Sequence, residues 1–363
     1  MYSHKVITGM LRRTNFRTVF RFAGICIVLL AVLLAGCQTG PRTLTVMTHD
    51  SFAVSESLLA QFERENNAKV SILLSGDAGA ALNKAILTKQ SPLADVLYGV
   101  DNTFLSRALA EDIFERYDSP LLASIPMEFQ LDSENRALPV DYGDVCINYD
   151  RAYFRTHSLA VPQTLEDLTD PAYRDLLVVE NPATSSPGLA FLLATIKHFG
   201  ADGFADYWKS LRANGVQVVD GWETAYYTNF SGSSGRGSQP MVVSYGSSPA
   251  AEMVFAETTP AEPPTASLVG PDMCFRQVEF AGILAGTPNR GLAEKFIDFL
   301  LGNPFQEDMP LQMFVFPVNP QAVLPEVYAE YAQIPAQPAT LPPEEIAAHR
   351  EEWISLWKQV VVK

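Results

Sequence analysis

The chain has 363 residues, with 26 Lys and Arg against 41 Asp and Glu, for a net charge of −15. Residues 1–36 hold five of the basic side chains and no acid, so the remainder carries 21 against 41, a balance of −20. That balance excludes a nucleic-acid partner, which needs a basic face, and suits a cationic small molecule.

The chain opens with Lys5, Arg12, Arg13, Arg17 and Arg21, followed by the apolar run FAGICIVLLAVLLAGC. The run is shorter than the ~20 residues a membrane span needs. A basic start, an apolar run and small residues at its end make an export signal. Its last four residues, Leu34-Ala35-Gly36-Cys37, resemble a bacterial lipobox. That resemblance implies removal of residues 1–36, lipidation of Cys37 and a membrane anchor through the lipid. A plain membrane anchor with an incidental cysteine is the alternative. Either places the rest of the chain outside the cytoplasm.

Residues 37–42 read as a tether. TLTVMTH (43–49) alternates and is β-branched, so it predicts a strand. SESLLAQFERENN (55–67) has helical spacing at Leu58, Leu59 and Phe62, with Ser55 as a candidate cap. AKVSILL (68–74) is a second strand, residues 75–87 a turn opening into a helix, and ADVLYGV (94–100) a third strand. Strand, helix, strand, helix, strand predicts a parallel sheet with helices on its faces. The same pattern resumes after residue 143. DLLVVE (175–180) predicts a strand, and residues 185–200 a helix with Pro187 in its first turn and Gly200 at its end. GVQVVD, PMVVSY and CFRQVEFAGIL (274–284) predict strands, and residues 290–302 an amphipathic helix. FVFPVNP (314–320) is extended. Residues 342–361 predict a last helix, with Trp353 and Trp357 as a packing stripe. SGSSGRGSQ (231–239) and ETTPAEPPTA (257–266) are loops.

Two cysteines follow Cys37 downstream, Cys146 and Cys274, both in strand-like stretches. In an oxidising compartment an even pair admits a disulfide. Two buried free thiols are the alternative. The five histidines, His4, His49, His157, His198 and His349, show no metal-binding spacing. SYGSSP (244–249) lacks the G-x-S-x-G of a nucleophile elbow. Nothing in the sequence calls for an enzyme, a metal or a cofactor.

The stretch GWETAYY (221–227) follows a turn signal with three rings around Glu223. On a helix Trp222 and Tyr226 share a face, which serves either as core or as one wall of a cage for a flat or cationic ligand.

Together these segments resemble the extracytoplasmic thiamine-binding proteins of ABC import systems. The matching stretches are LTVMTHDSF (44–52), SGDAGAALNKA (75–85), ADVLYGVDN (94–102), PVDYGDVCINYD (139–150), NPATSSPGLAFLL (181–193), GWETAYY, VVSYGSSPA (242–250), AEKFIDFLL (293–301) and EEWISLW (351–357). The resemblance implies an α/β two-lobe periplasmic-binding-protein fold, each lobe a mostly parallel sheet flanked by helices. Residues 43–142 with about 276–330 would form the first lobe, residues 143–275 the second, and residues 331–363 a helical segment packed on a lobe. It implies a monomer that captures thiamine or a phosphate ester between the lobes and hands it to a membrane permease.

Carried over residue by residue, the implied ligand contacts are Asp77 with Ala78, Ser185 with Ser186, Trp222, and Tyr245, Gly246, Ser247 and Ser248. Ala78 stands where these relatives usually have Gly, Met47 where a ring is common, and Phe314 where Trp is common. Thiamine is two flat rings, one permanently cationic, so aromatic faces and carboxylates suit it. Trp222 and Tyr245 are expected to stack and Tyr226 to support them. His49, Asp50, Asp101 and Asp141 end strand-like segments, where open sheets place ligands, and are further candidates with Phe314. The bland alternatives are a turn residue at Asp77, helix caps at the serines and plain core at Trp222. Rival readings are a ferric-ion binder using Tyr226 and Tyr227, a polyamine binder, or an enzyme acting on thiamine derivatives.

Overall fold

The computed structural model describes residues 40–232, 236–256, 258 and 260–362. The export segment, Cys37 and the start of the tether lie outside them. Residues 43–363 form one compact unit.

Eleven strands make one curled sheet. They are β1 (Arg42–Thr48), β2 (Ala68–Leu74), β3 (Val96–Asp101), β4 (Phe114–Glu115), β5 (Leu138–Asp150), β6 (Leu177–Glu180), β7 (Gln217–Val219), β8 (Met241–Tyr245), β9 (Thr265–Leu268), β10 (Phe275–Leu284) and β11 (Phe316–Pro317). The order is β2-β1-β3-β10-β5-β8-β6-β7, with β4 on β10 and β9 and β11 on β5. β1 and β3 are parallel on one flank. β6 is parallel to both β7 and β8 on the other. Between the flanks run the long strands β5 and β10, antiparallel to each other and to their neighbours β3 and β8. Two parallel sets joined by long antiparallel strands make a two-lobed α/β fold. Every residue of β3 is buried, as expected of a strand with helices on both faces.

The helices are α1 (Glu56–Asn66), α2 (Ala78–Leu87), α3 (Leu105–Ala110), α4 (Arg151–Thr156), α5 (Ser186–Ala213), α6 (Ser248–Phe255), α7 (Arg290–Leu301), α8 (Asn303–Gln312), α9 (Glu326–Tyr331) and α10 (Pro343–Val361). Local chemistry sets their ends. Asp77 caps α2 by accepting from Ala78 N at 2.7 Å. Ser185 caps α5, accepting from Gly188 N, with Pro187 in the first turn. Gly200 ends the first part of α5 at φ 74°, but the chain resumes as helix to Ala213. Ser55 stands at the start of α1 without capping it; its hydroxyl and N–H both go to Asp308 of α8. The short helices α8 and α9 had no sequence signal.

One large buried cluster runs through both flanks, from Met47, Leu82 and Val100 to Leu189 and Trp208, and a second lies on the first flank. Leu44, Val46, Phe62, Phe296 and Leu300 pack β1 against α1 and α7. Leu189, Phe191, Phe204, Trp208 and Trp357 fill the space behind β6 and β8. Trp353 and Trp357 are a packing stripe, both buried. α10 nevertheless touches more than one flank. Trp357 meets Trp208 of α5 edge-on at 5.7 Å, and the Arg350 guanidinium lies 5.2 Å from the Phe104 ring at the start of α3. Cys146 of β5 and Cys274, just before β10, form a disulfide across the two central strands.

Candidate functional site

The carboxyl ends of the parallel strands converge on one cleft, as open α/β sheets require. β1 leads into His49 and Asp50. The turn after β2 brings Asp77, the turn after β7 brings Trp222, and β8 ends in Tyr245. Gly99 has φ 94°, and a Cβ there would meet the His49 ring at 2.3 Å. Only glycine lets that imidazole lie against the sheet.

Asp77 lies at the join. One oxygen accepts from Ala78 N at 2.7 Å and the other from Trp222 N at 2.9 Å, linking the two flanks. Burial raises its pKa, and the N–H groups of Trp222 and Ala78 oppose the shift.

Residues 224–229 form a π-helical turn. With this turn, a rare form frequent at functional sites, Trp222 stacks on Tyr226 with centroids 5.1 Å apart and planes 19° apart. Tyr227 stands edge-on to Trp222 at 5.5 Å and Tyr245 at 6.4 Å. The indole Nε1 donates to Ser244 Oγ at 2.9 Å, and the Tyr226 hydroxyl to Glu252 Oε1 at 2.5 Å. Phe255 and Phe314 pair edge-on at 5.2 Å.

Two connected hollows result, sharing Ser51, Trp222 and Met313. The outer one has a volume of 470 Å³, within the ~300–1,000 Å³ usual for small-molecule sites. Its lining includes Asp50, Phe52, Glu223, Tyr226, Tyr227, Glu252, Phe255 and Phe314. The inner one is 40 Å³, bounded by His49, Asp77, Ala78, Ser186, Tyr245 and Glu279 among others. No Lys or Arg lines either hollow among the described residues.

The candidates read from the sequence therefore separate into two groups. Asp77, Ala78, Ser186, Trp222, Tyr226, Tyr245, His49, Asp50 and Phe314 line the hollows. Others stand behind the wall and shape it. Ser185 is fully buried at its cap. Gly246 gives its N–H to Asp144 O at 2.8 Å and its carbonyl to Gln333 N at 2.7 Å. Ser247 donates to the Phe314 carbonyl, and Ser248 pairs with Ser244 at 2.9 Å. Asp101 is buried, accepting from Thr103, Phe104 N and Gln277; burial lifts its pKa to about 7. Asp141 is buried beside Glu279 and accepts from Tyr98, and its pKa is pushed well up by burial and by that neighbour.

Glu279 pairs across the sheet with Asp101 on one side and Asp141 on the other, so three carboxyls cross the floor in register. His49 lies 3.5 Å from Glu279. Burial lowers the His49 pKa, but Glu279, Asp77 and Asp50 together outweigh it and the net shift is upward. Tyr226 and Tyr227 stand edge to face with planes 85° apart, and the Tyr226 hydroxyl donates to Glu252. No group of three His, Cys, Asp or Glu side chains is placed to hold a metal among the described residues.

Sequence reasoning missed Glu252, Phe255, Phe52 and Glu279 as site residues. Glu252 and Phe255 lie within eight residues of YGSSP on a helix that the motif opens, so helical spacing from Ser248 was an available signal. Glu279 carried none, because its place depends on strand register.

Residues 91–335 match the family model described as bacterial extracellular solute-binding protein, more than half of the chain. The chain is 30% identical over 333 residues to a thiamine-binding periplasmic protein of Brucella suis, covering 89% of this chain and 93% of that one. It is 29% identical over 337 residues to the protein of that name from Salmonella typhimurium, covering 92% and 97%. A solved structure described as a periplasmic thiamin binding protein superposes with a TM-score of 0.78 at 27% identity, covering 90% of this chain and 98% of that one. A cleft at the strand ends between two joined flanks, and a match of this extent, lead to one assignment: the chain belongs to the bacterial extracellular solute-binding protein family.

Proposed function

We propose that the protein captures thiamine, or one of its phosphate esters, outside the cytoplasm and delivers it to an ABC permease, held to the membrane by a lipid on Cys37. The observation that carries this reading is the outer hollow. It joins a stacked Trp222–Tyr226 pair to carboxylates, without a basic side chain among its described lining residues. A permanently cationic flat ring fits such a lining, because it gains from ring faces and negative charge and cannot donate a hydrogen bond. The names of the similar proteins favour the same ligand.

The mechanism is capture without chemistry. Ligand contacts to both flanks stabilise the closed arrangement, and the contact from Trp222 N to Asp77 belongs to that arrangement. The closed protein then docks on the permease. Residues 43–142 with 276–330, and residues 143–275, are the moving lobes of this proposal.

Calorimetric titration of the purified, emptied protein with thiamine tests the reading. Heat of binding with quenched indole emission is expected. No heat, no quenching and no thermal protection would end it. Native mass spectrometry of protein from its own host identifies the form of the vitamin it carries.

A further inference from the structure

The outer hollow holds one carboxylate whose environment differs from that of its neighbours. Glu252 sits in the second turn of α6 and is 8% exposed. Its Oε1 accepts from the Tyr226 hydroxyl, and its Oε2 has no hydrogen-bond partner among the described residues. Asp50 and Glu223 also line the hollow, but both are exposed and therefore screened by water. The hollow that Glu252 lines is walled also by Tyr226, Tyr227, Phe255, Met313 and Phe314. The titratable groups of the lining are thus Tyr226, Tyr227, Glu223 and Asp50, all neutral or acidic.

A buried carboxylate with no cation beside it is costly, and a ligand that brings the cation removes that cost. Tyr226 adds a second route. A phenol that donates to a carboxylate becomes richer in electrons, and its ring face attracts a cation more strongly. The same ring is stacked on Trp222, so charge and stacking surface are locked together. Burial lifts the Glu252 pKa to about 7. The field of a nearby cation draws it back down and releases a proton on binding.

Resting on the thiamine reading, we propose that Glu252 is the charge-selecting residue of the site: held by Tyr226, its carboxylate makes the protein prefer a quaternary aromatic cation to a neutral ring of the same shape.

The test measures dissociation constants by calorimetry for thiamine and for its neutral analogue in which a thiophene replaces the thiazolium. The proteins are wild type, Glu252→Gln and Glu252→Asp, each first checked for an unchanged fold by circular dichroism. Wild type should bind thiamine more tightly than the thiophene analogue. Glu252→Gln should weaken thiamine by about tenfold while leaving the analogue unchanged. Glu252→Asp keeps the charge and should retain part of the preference. Raising the pH from 6 to 8 should tighten thiamine binding to wild type more than to Glu252→Gln. Equal losses for both ligands, or a wild type with no preference, would overturn the charge role and leave thiamine capture standing. A wild type that binds neither overturns the thiamine reading itself.

Discussion

The Asp77 carboxylate accepts the backbone N–H of Trp222 at 2.9 Å, across 145 residues of sequence. Asp77 leads into the helix after β2 on one flank, and Trp222 follows β7 on the other. Replacing Asp77 with Ala removes this link and the cap of α2. We expect a larger radius of gyration for the ligand-free protein by small-angle scattering, and a loss of about 1 kcal/mol of stability from the cap. An unchanged scattering profile would show that the link does not hold the flanks together.

Trp222 supplies both a stacking face and a donor. Trp222→Ala should weaken thiamine by about 2 kcal/mol, on the scale of an aromatic hot spot. Trp222→Phe keeps a ring on Tyr226 but loses the bond to Ser244, and should cost about 1 kcal/mol. Calorimetry that finds the two variants equal would assign the effect to the donor and not to the ring.

Several buried groups in and behind the cleft wall hold protons more tightly in the folded protein than in the unfolded chain. Burial lifts Asp101 and Glu252 to about 7 and raises Asp77, Asp141 and Glu180; the His49 shift is also upward, through Glu279. The folded state therefore binds more protons between about pH 5 and pH 8, and stability falls as pH rises through that window. Thermal melts of the ligand-free protein should give a higher midpoint at pH 5.5 than at pH 8. The opposite order would mean that these carboxyls are ionised in the folded state.

The absence of Lys and Arg from the described cleft lining sets an order among ligands. A phosphate on thiamine would share the cleft with Asp50, Asp77, Glu223, Glu252 and Glu279, with no opposing side-chain cation but His49 among the described lining residues. The N-termini of α2 and α5 offset only part of this. We expect competition titrations to rank thiamine above its monophosphate and the monophosphate above the diphosphate. The reverse order would point to a cationic group outside the lining described above.

The Cys146–Cys274 bond closes a loop across a sequence separation of 128 residues. Replacing both with Ser should lower the unfolding free energy by about 2–5 kcal/mol. Urea denaturation with and without reductant checks this. A wild type insensitive to reductant would show that the bond contributes nothing.

Much of the fold was legible because the rhythm of strand and helix is written in short apolar runs bounded by caps and turns. TLTVMT became β1, and the runs at 94–100 and 274–284 became β3 and β10 within two residues. The site was legible at its aromatic end, where Trp222 and Tyr226 are neighbours in sequence. It was less legible where function depends on which side of a wall a hydroxyl faces. Ser185 and Ser247 read as ligand contacts, yet Ser185 Oγ accepts from Gly188 N at its cap and the Ser247 hydroxyl donates to the Phe314 carbonyl. The row of Asp101, Glu279 and Asp141 could not be read, because it arises from the register of β3, β10 and β5. Ser55 carried the residue type of a cap, but a partner 253 residues away took its hydroxyl.

The last helix gives the molecule a mechanical limit. Its Trp357 is wedged against Trp208 of one flank while its Arg350 covers Phe104 of the other. A jaw tied to both its plates cannot swing wide without dragging the tie. Opening must either slide the Arg350 side chain off its ring or stay within the slack of that contact. A chain that stops before Pro343 lacks this tie and should open wider without ligand, read as a larger radius of gyration by small-angle scattering.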